Sequence, residues 1–121
     1  MNARILPYIL VAAGGFLGAV LRWSIEEQVP SLWGTLAVNF LGCVAMGMFM
    51  YESIYIGNFS RETRIFFSAG FVGAFTTFSV FAMQSFQAGP VPGMANILAS
   101  LVLGLIGILA GRHLISYQRW M

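Results

Sequence analysis

The middle of the chain reads Gly73-Ala74-Phe75-Thr76-Thr77-Phe78-Ser79-Val80-Phe81, within an apolar segment that runs from about Ile65 to Phe86. Three hydroxyl side chains alternate here with aromatic rings. Because glycine and threonine are weak helix formers, a membrane helix with this sequence is expected to break at this point. Backbone groups freed by a break inside a bilayer are tolerated only where they face protein, an ion or a water-filled cavity. The stretch therefore predicts a functional site.

The composition is that of a protein immersed in a lipid bilayer. Of the 121 residues, 59% are hydrophobic and only 8% are charged, whereas a soluble domain carries roughly 25% charged residues. The length allows one compact unit, so residues 1–121 are read as a single transmembrane domain. The formal charge of +2 is too small and too dispersed for a surface that binds nucleic acid.

Four apolar stretches approach the ~20 residues that a helix needs to cross a hydrocarbon core. We predict an all-α membrane protein whose four transmembrane helices cover about residues 5–25, 32–56, 65–86 and 94–115, with the third helix broken mid-membrane. Ser60, followed by Glu62 and Thr63, is a helix start signal before the third span. Pro90 and Pro92 predict a loop over residues 87–93.

Spaced glycines predict that these helices pack closely, because small residues let helix backbones approach one another in a membrane. The glycines concerned are Gly14 and Gly18, Gly42 and Gly47, and Gly104, Gly107 and Gly111. One bundle of four short helices can scarcely enclose a polar path by itself. We therefore expect an oligomer whose interface helps to build the site.

The arginines are distributed unevenly between the two ends of the spans. Those on the side of the termini are Arg4, Arg61, Arg64, Arg112 and Arg119. With four spans, only Arg22 lies on the opposite side. The positive-inside rule then favours termini in the cytoplasm.

Several polar side chains lie inside the predicted spans. Asn39 can make a structural hydrogen bond between helices, or it can form a polar stripe with Thr35, one turn away on the same face. An anion that leaves water needs hydrogen-bond donors along its way. The neutral donors available for this purpose are Asn39, Thr77, Ser79, Asn96 and Ser100.

Phe78 and Phe81 share a helix face beside the predicted break. Such a pair either packs against lipid or a neighbouring helix, or it lines an anion path, since the edge of an aromatic ring is positive. Arg22 also has two interpretations. It snorkels to the lipid headgroups, or it supplies a fixed positive charge that attracts anions to a vestibule.

Other classes of function lack the residues they need. No acidic residue lies in the middle of a predicted span, which argues against a proton-coupled, small multidrug-type transporter. One histidine and one cysteine cannot be assembled into a metal centre or a nucleophilic triad, so we do not predict an enzyme. A non-transporting membrane subunit remains open, although it leaves the break in the third span unexplained.

Three motifs follow one another along the first three spans. They read Gly14-Gly15-x-x-Gly18-Ala19-x-x-Arg22-Trp23, Gly34-Thr35-Leu36-x-Val38-Asn39-x-x-Gly42 and Gly70-Phe71-x-Gly73-x-x-Thr76-Thr77-Phe78-Ser79-x-Phe81. Together they resemble the motifs of the Fluc/CrcB fluoride channels, over essentially the whole chain. The resemblance implies a passive, fluoride-selective channel in the plasma membrane, the inner membrane of a bacterium, through which fluoride leaves the cytoplasm.

The resemblance also implies an assembly and a set of site residues. Family members are antiparallel, dual-topology dimers with two pores along the subunit interface and a structural sodium ion (Na+) at the dimer centre. In this sequence the backbone carbonyls that would hold the sodium belong to Gly73 and Thr76. The positions that match the family's pore and polar track are Asn39, Phe78, Phe81, Ser79, Thr35 and Ser100.

Some positions depart from the family's pattern. They are Val80 in place of threonine, Gln84 in place of glutamate, Asn96 in place of tyrosine and Gly104 in place of serine, so the polar track is either partly remade or partly lost. The arginine bias also differs from the near balance that suits dual topology. The chain therefore forms a homodimer or pairs with an oppositely inserted paralogue. We favour the homodimer, because the pore phenylalanines and Asn39 are all present.

Overall fold

The computed structural model describes residues 2–120, which form five helices. They are α1 (Leu6–Gln28), α2 (Leu32–Ile56), α3 (61–75), α4 (Ser79–Gln87) and α5 (Pro90–Trp120). Together, α3 and α4 make up the span Arg61–Gln87, so four spans have the length and apolarity to cross a membrane. The predicted all-α membrane architecture with four spans is confirmed.

Two stretches of helix are wound more widely than an α-helix. They are the last turn of α2, Glu52–Ile56, and the middle of α3, Ile65–Val72, both of which are π-helical. Such backbone is rare and is found most often near functional sites. Gly57 then ends α2 with φ 72°, a left-handed conformation that glycine adopts without steric cost.

Glycines bring α1 and α3 into backbone contact. A Cβ atom at Gly14 would overlap the carbonyl oxygen of Phe66, and one at Gly18 would overlap that of Phe71. Neither position can carry a side chain unless the helices separate. The packing role predicted for the first glycine pair is therefore confirmed.

The same kind of contact joins α2 to α5. A Cβ atom at Gly47 would overlap the carbonyl oxygen of Ile108, and one at Gly111 would overlap that of Val44. The bundle thus consists of two tightly packed helix pairs, α1 with α3 and α2 with α5. The shorter α4 lies against α5.

A column of stacked phenylalanines runs along α3 and binds it to α2. Ring centroids lie 4.6 Å apart for Phe59 and Phe49, 4.6 Å for Phe49 and Phe67, 5.5 Å for Phe67 and Phe71, and 6.0 Å for Phe71 and Phe75. The column ends at Phe75, which is only 5% exposed. Its last ring therefore lies at the end of α3.

The start of α3 lies where the sequence predicted it, and the start of α5 does not. The Ser60 hydroxyl accepts a hydrogen bond from the Thr63 N–H at 3.2 Å, as the start signal predicted. The loop predicted over residues 87–93 is wrong, because α5 begins at Pro90. Both prolines fall in the first turn, where their missing N–H groups would have had no helical partner. Gly89, with φ 95°, makes the turn instead.

Candidate functional site

The third span is interrupted within the stretch that the sequence singled out. The helix α3 ends at Phe75, and Thr76 is extended, with φ −83° and ψ 159°. Helical hydrogen bonding resumes at Ser79, the first residue of α4. The helix is therefore interrupted over three residues, 76–78.

Asn39, on α2, holds the backbone of the break. Its Nδ2 donates to the Thr77 carbonyl oxygen at 2.9 Å, and its Oδ1 accepts from the Thr77 N–H at 2.8 Å. In a continuous helix that N–H would bond to the carbonyl of Gly73, four residues earlier. By taking both backbone groups of Thr77, Asn39 leaves the Gly73 carbonyl without its helical partner.

The side chain of Thr77 likewise takes a backbone N–H away from its helical acceptor in the next turn. Its Oγ1 accepts a hydrogen bond from the Val80 N–H at 3.3 Å, a donor that would bond to the Thr76 carbonyl in a continuous helix. Among residues 2–120, no other backbone N–H replaces the lost partner of Gly73 or of Thr76. The two carbonyls assigned to sodium by resemblance are therefore among those that the break leaves without a helical donor, and the Ala74 carbonyl is another.

Gly42, on α2 next to the break, and Gly73, on α3 just before it, differ in the atoms that surround them. A Cβ atom at Gly42 would overlap the Cγ2 of Thr76, so glycine there makes room for the extended residue. Gly73 is exposed and helical, and a Cβ atom there would meet nothing nearer than the Ser68 carbonyl oxygen at 3.7 Å. Nothing within residues 2–120 requires a glycine at position 73.

Of the two phenylalanines that follow Thr77, Phe78 faces outward and Phe81 is half-buried. The rings of Phe78 and Phe81 lie 5.7 Å apart and are tilted by 53°, and Phe78 is 78% exposed. They line the upper part of an apolar groove of about 680 Å³ between α4 and α5. Beside them the Ser79 and Thr77 hydroxyl oxygens lie 3.5 Å apart.

The remaining predicted residues lie apart from this cluster. Thr35 is 3% exposed, and its Oγ1 has no hydrogen-bond partner within residues 2–120. Arg22 is half-buried, and its Nε is likewise buried without a partner in the described chain. Ser100 is half-buried on α5 and makes no hydrogen bond to Asn39, Thr77 or Ser79 in the part of the chain that the structure describes.

A polar link between α4 and α5 escaped the sequence reasoning. The Asn96 Nδ2 donates to the Ser85 Oγ at 2.8 Å, and Ser85 in turn donates to the Phe81 carbonyl oxygen at 2.8 Å. Ser85 is only 6% exposed. The link ties the helix that carries the phenylalanine pair to the neighbouring helix. The signal available in the sequence was a serine and an asparagine, Ser85 and Asn96, on opposite sides of the short connection between α4 and α5.

Comparison with known proteins supplies the family. The CrcB-like protein family (Camphor Resistance, CrcB) matches residues 9–112. The chain is 52% identical over 110 residues to the fluoride-specific ion channel FluC 1 of Methanospirillum hungatei, covering 91% of this chain and 79% of that protein. It is 47% identical over 107 residues to FluC 2 of Methanosarcina barkeri (88% and 85%). It is 38% identical over 116 residues to FluC of Dehalococcoides mccartyi (88% and 89%).

Proposed function

The chain belongs to the CrcB family, and from this premise we propose that it is a fluoride-selective passive ion channel that lets fluoride leave the cytoplasm. It is a multi-pass membrane protein of a channel family and not an enzyme. Its proposed location is the plasma membrane, the inner membrane of a bacterium. The names of the relatives support fluoride as the ion.

The proposal rests on one observation: side chains of the chain itself bond to the backbone of the third span where its helix is interrupted. Asn39 engages both backbone groups of Thr77, and the opening comes directly before the exposed ring of Phe78. Each backbone group kept from a helical bond in a membrane costs free energy unless it finds another partner. A subunit that transports nothing would gain nothing from this arrangement.

The proposed fluoride path runs past the rings of Phe78 and Phe81. Their edges carry partial positive charge, and the hydroxyls of Ser79 and Thr77 lie beside them. Asn39 uses one Nδ2 hydrogen on the Thr77 carbonyl, which leaves its second hydrogen for an anion. Ring edges and neutral donors suit a small, strongly hydrogen-bonding anion, and they form no cationic ring that would admit halides in general.

We further propose that two copies assemble as an antiparallel homodimer and share the break. The exposed, unconstrained Gly73 supports this, since a glycine with open space beside it suits close approach by a second backbone. Two carbonyls from each copy, at Gly73 and Thr76, would bring four oxygens together. Pairing with an oppositely inserted paralogue is the alternative that the arginine distribution keeps open.

The carbonyls of Gly73 and Thr76 fit a small monovalent cation, and we propose sodium. Carbonyl oxygens are hard ligands, and these two have lost their helical donors to Asn39 and Thr77. Left facing lipid, each would cost several kcal/mol. A bound sodium ion would supply the positive charge that satisfies them and joins the two copies. The side chains in the proposed fluoride path would then need no formal charge.

Passive flow is sufficient for this function. Fluoride enters cells as neutral HF in acid surroundings and dissociates inside, so an open path lets the anion flow down its gradient. No acidic residue lies in the middle of a predicted span to couple the flow to protons. Arg22, at the far end of α1, is the positive charge proposed to raise the anion concentration at a vestibule.

The test is efflux from liposomes loaded with fluoride or with chloride, measured with ion-selective electrodes. The purified protein should release fluoride rapidly and exclude chloride by a factor of at least about 100, a difference of about 2.7 kcal/mol. Protein-free liposomes, and liposomes containing the doubly substituted Phe78→Ile/Phe81→Ile protein, serve as controls.

Other outcomes identify the competing functions. Equal efflux of both anions contradicts fluoride selectivity. Absence of any efflux supports a non-transporting subunit. Proton-driven movement of an organic cation, with no fluoride efflux, supports the multidrug-type transporter.

A further inference from the structure

A second groove, lined by both polar and apolar residues, lies away from the break, between the last turn of α2 and the start of α3. Its volume is about 320 Å³, and its lining contains two arginines, Arg61 and Arg64, two serines, Ser53 and Ser68, and no acidic residue. The other residues that line it are apolar. None of these residues belongs to the fluoride path proposed above.

Ser53 is the residue that points to a ligand. It is 7% exposed, and its hydroxyl has no hydrogen-bond partner within residues 2–120. A serine in a helix usually satisfies its hydroxyl on the carbonyl four residues earlier, and Ser68, across the groove, does so with the Arg64 carbonyl at 2.9 Å. A buried hydroxyl without a partner costs free energy. Rotation of the Ser53 side chain toward the groove that it lines would let a ligand oxygen recover this free energy.

The two arginines indicate the charge of that ligand. Arg61 and Arg64 are three residues apart on α3, so they share a helix face, and both side chains are exposed. The planar guanidinium group of arginine matches the geometry of phosphate oxygens and can donate two hydrogen bonds at once. Two of them beside a serine hydroxyl make a donor set for a phosphate group.

The apolar half of the groove distinguishes a lipid from a free ion. Met50 and Ile54 are 39% and 63% exposed, and they line the groove together with Ile65 and Ala69. A free phosphate ion gains nothing from these side chains. A phospholipid can place its phosphate at the arginines and an acyl chain along the apolar half.

We propose that this groove binds the phosphate group of an anionic phospholipid, with Arg61, Arg64 and Ser53 as its hydrogen-bond donors. The site lies at the end of the bundle that carries five of the six arginines, so an antiparallel pair of copies would present one such groove to the headgroups on each side of the membrane. It is independent of the ion that the protein transports. Its failure in a test would leave the channel proposal unchanged.

The experiment measures lipid binding to the detergent-solubilised, full-length protein. Native mass spectrometry and thermal unfolding are recorded with added phosphatidylglycerol, with phosphatidylcholine and with inorganic phosphate. Phosphatidylglycerol should bind at least tenfold more tightly than phosphatidylcholine and should raise the Tm. Inorganic phosphate should do neither at the same concentration. Equal effects of inorganic phosphate and phosphatidylglycerol would overturn the lipid assignment.

Substitutions then locate the site. The double variant Arg61→Gln/Arg64→Gln should weaken phosphatidylglycerol binding at least tenfold, whereas Arg119→Gln, which removes an exposed arginine from α5 at the same end, should leave it unchanged. Equal losses in both proteins would show non-specific attraction by charge and contradict the proposal.

Ser53→Ala provides a test that keeps both arginines. It removes a buried hydroxyl that has no partner in the described chain, so the Tm without lipid should be unchanged or higher. The Tm increase caused by phosphatidylglycerol should become smaller. A lower Tm without lipid, together with an unchanged lipid effect, would show that the hydroxyl serves the fold, and it would overturn the role assigned to Ser53.

Discussion

Phenylalanines on the two sides of the break have opposite environments. Phe75, the last residue of α3, is 5% exposed and stacks on Phe71, whereas Phe78, three residues later, is 78% exposed. The extended Thr76 between them turns the chain and separates the two groups of rings. The rings before the break stabilise the fold of the single chain. The ring of Phe78 contributes little to that fold, so packing within the described residues does not explain it.

Glycines show the same division. Gly14 lies against the backbone of α3 and cannot accept a side chain, whereas Gly73 has open space around its Cβ position. Gly14 thus meets a packing requirement of the single chain. Gly73, one turn before the break, meets no such requirement within residues 2–120 and is free to face something outside the chain.

Substitution of Gly73 should have the largest effect on assembly. Gly73→Leu should leave the single chain folded, because nothing lies within 3.7 Å of the new Cβ. It should weaken the dimer by at least about 2 kcal/mol, a roughly thirtyfold rise in the dissociation constant. Light scattering of the detergent-solubilised protein over a dilution series measures this constant.

Gly14→Leu is the matched contrast. Its side chain would collide with the Phe66 carbonyl, so the single chain itself should be destabilised. If Gly73→Leu dimerised as well as the wild type, the shared break would have to be abandoned.

Substitutions of the phenylalanines should affect fluoride flux after the break and protein stability before it. Phe78→Ile or Phe81→Ile keeps apolar bulk but removes the positive ring edge, so fluoride efflux should fall at least about tenfold, the equivalent of about 1.4 kcal/mol. Their thermal stability should stay close to that of the wild type. Phe75→Ala should instead lower the free energy of unfolding by about 3–5 kcal/mol.

The comparison is made with liposome flux and chemical denaturation of the same preparations. Full flux in both isoleucine variants would show that Phe78 and Phe81 are packing residues, like those of the column along α3.

Removing the Asn39 side chain, which bonds to the backbone at the break, should lower stability less than Phe75→Ala does. Asn39→Leu leaves the N–H and the carbonyl of Thr77 unpaired, which should cost about 2–4 kcal/mol in total. Fluoride flux should fall as well, because the backbone at the break loses the side chain that fixes its conformation. Denaturation and flux measurements test both effects.

Thr35→Val is the control on the same helix face. The hydroxyl it removes has no partner in the described chain, so stability should change by less than about 1 kcal/mol. An Asn39→Leu protein as stable as Thr35→Val and as active as the wild type would contradict the role assigned to the asparagine.

Local sequence patterns predicted a large part of this molecule. Hydropathy and length placed the four spans, spaced glycines predicted the close helix pairs, and the weak helix formers around Thr76 and Thr77 marked where α3 ends. Each of these signals lies within one stretch of chain. The first turn of α5 was misjudged because Pro90 and Pro92 stop a helix from its interior but are tolerated at its start.

What the sequence could not supply depends on contacts between distant residues. Asn39 and Thr77 are 38 positions apart, so their pairing follows from how α2 packs beside α3 and from no local pattern. The π-helical winding of α3 likewise accompanies its packing against α1 and has no compositional signature. The link from Asn96 to Ser85 was missed for the same reason. The residues proposed for fluoride and sodium remain predictions.

The most direct measurement is an experimental structure of the assembled protein in sodium, at a resolution that identifies ions. We expect two antiparallel copies whose Gly73 and Thr76 carbonyls surround one central cation on the two-fold axis, with Asn39 bonded to Thr77 in both copies. Replacing sodium with a larger monovalent cation should weaken the density at that point. A parallel dimer, a continuous third helix, or carbonyls at the break that face lipid without an ion would contradict the shared site.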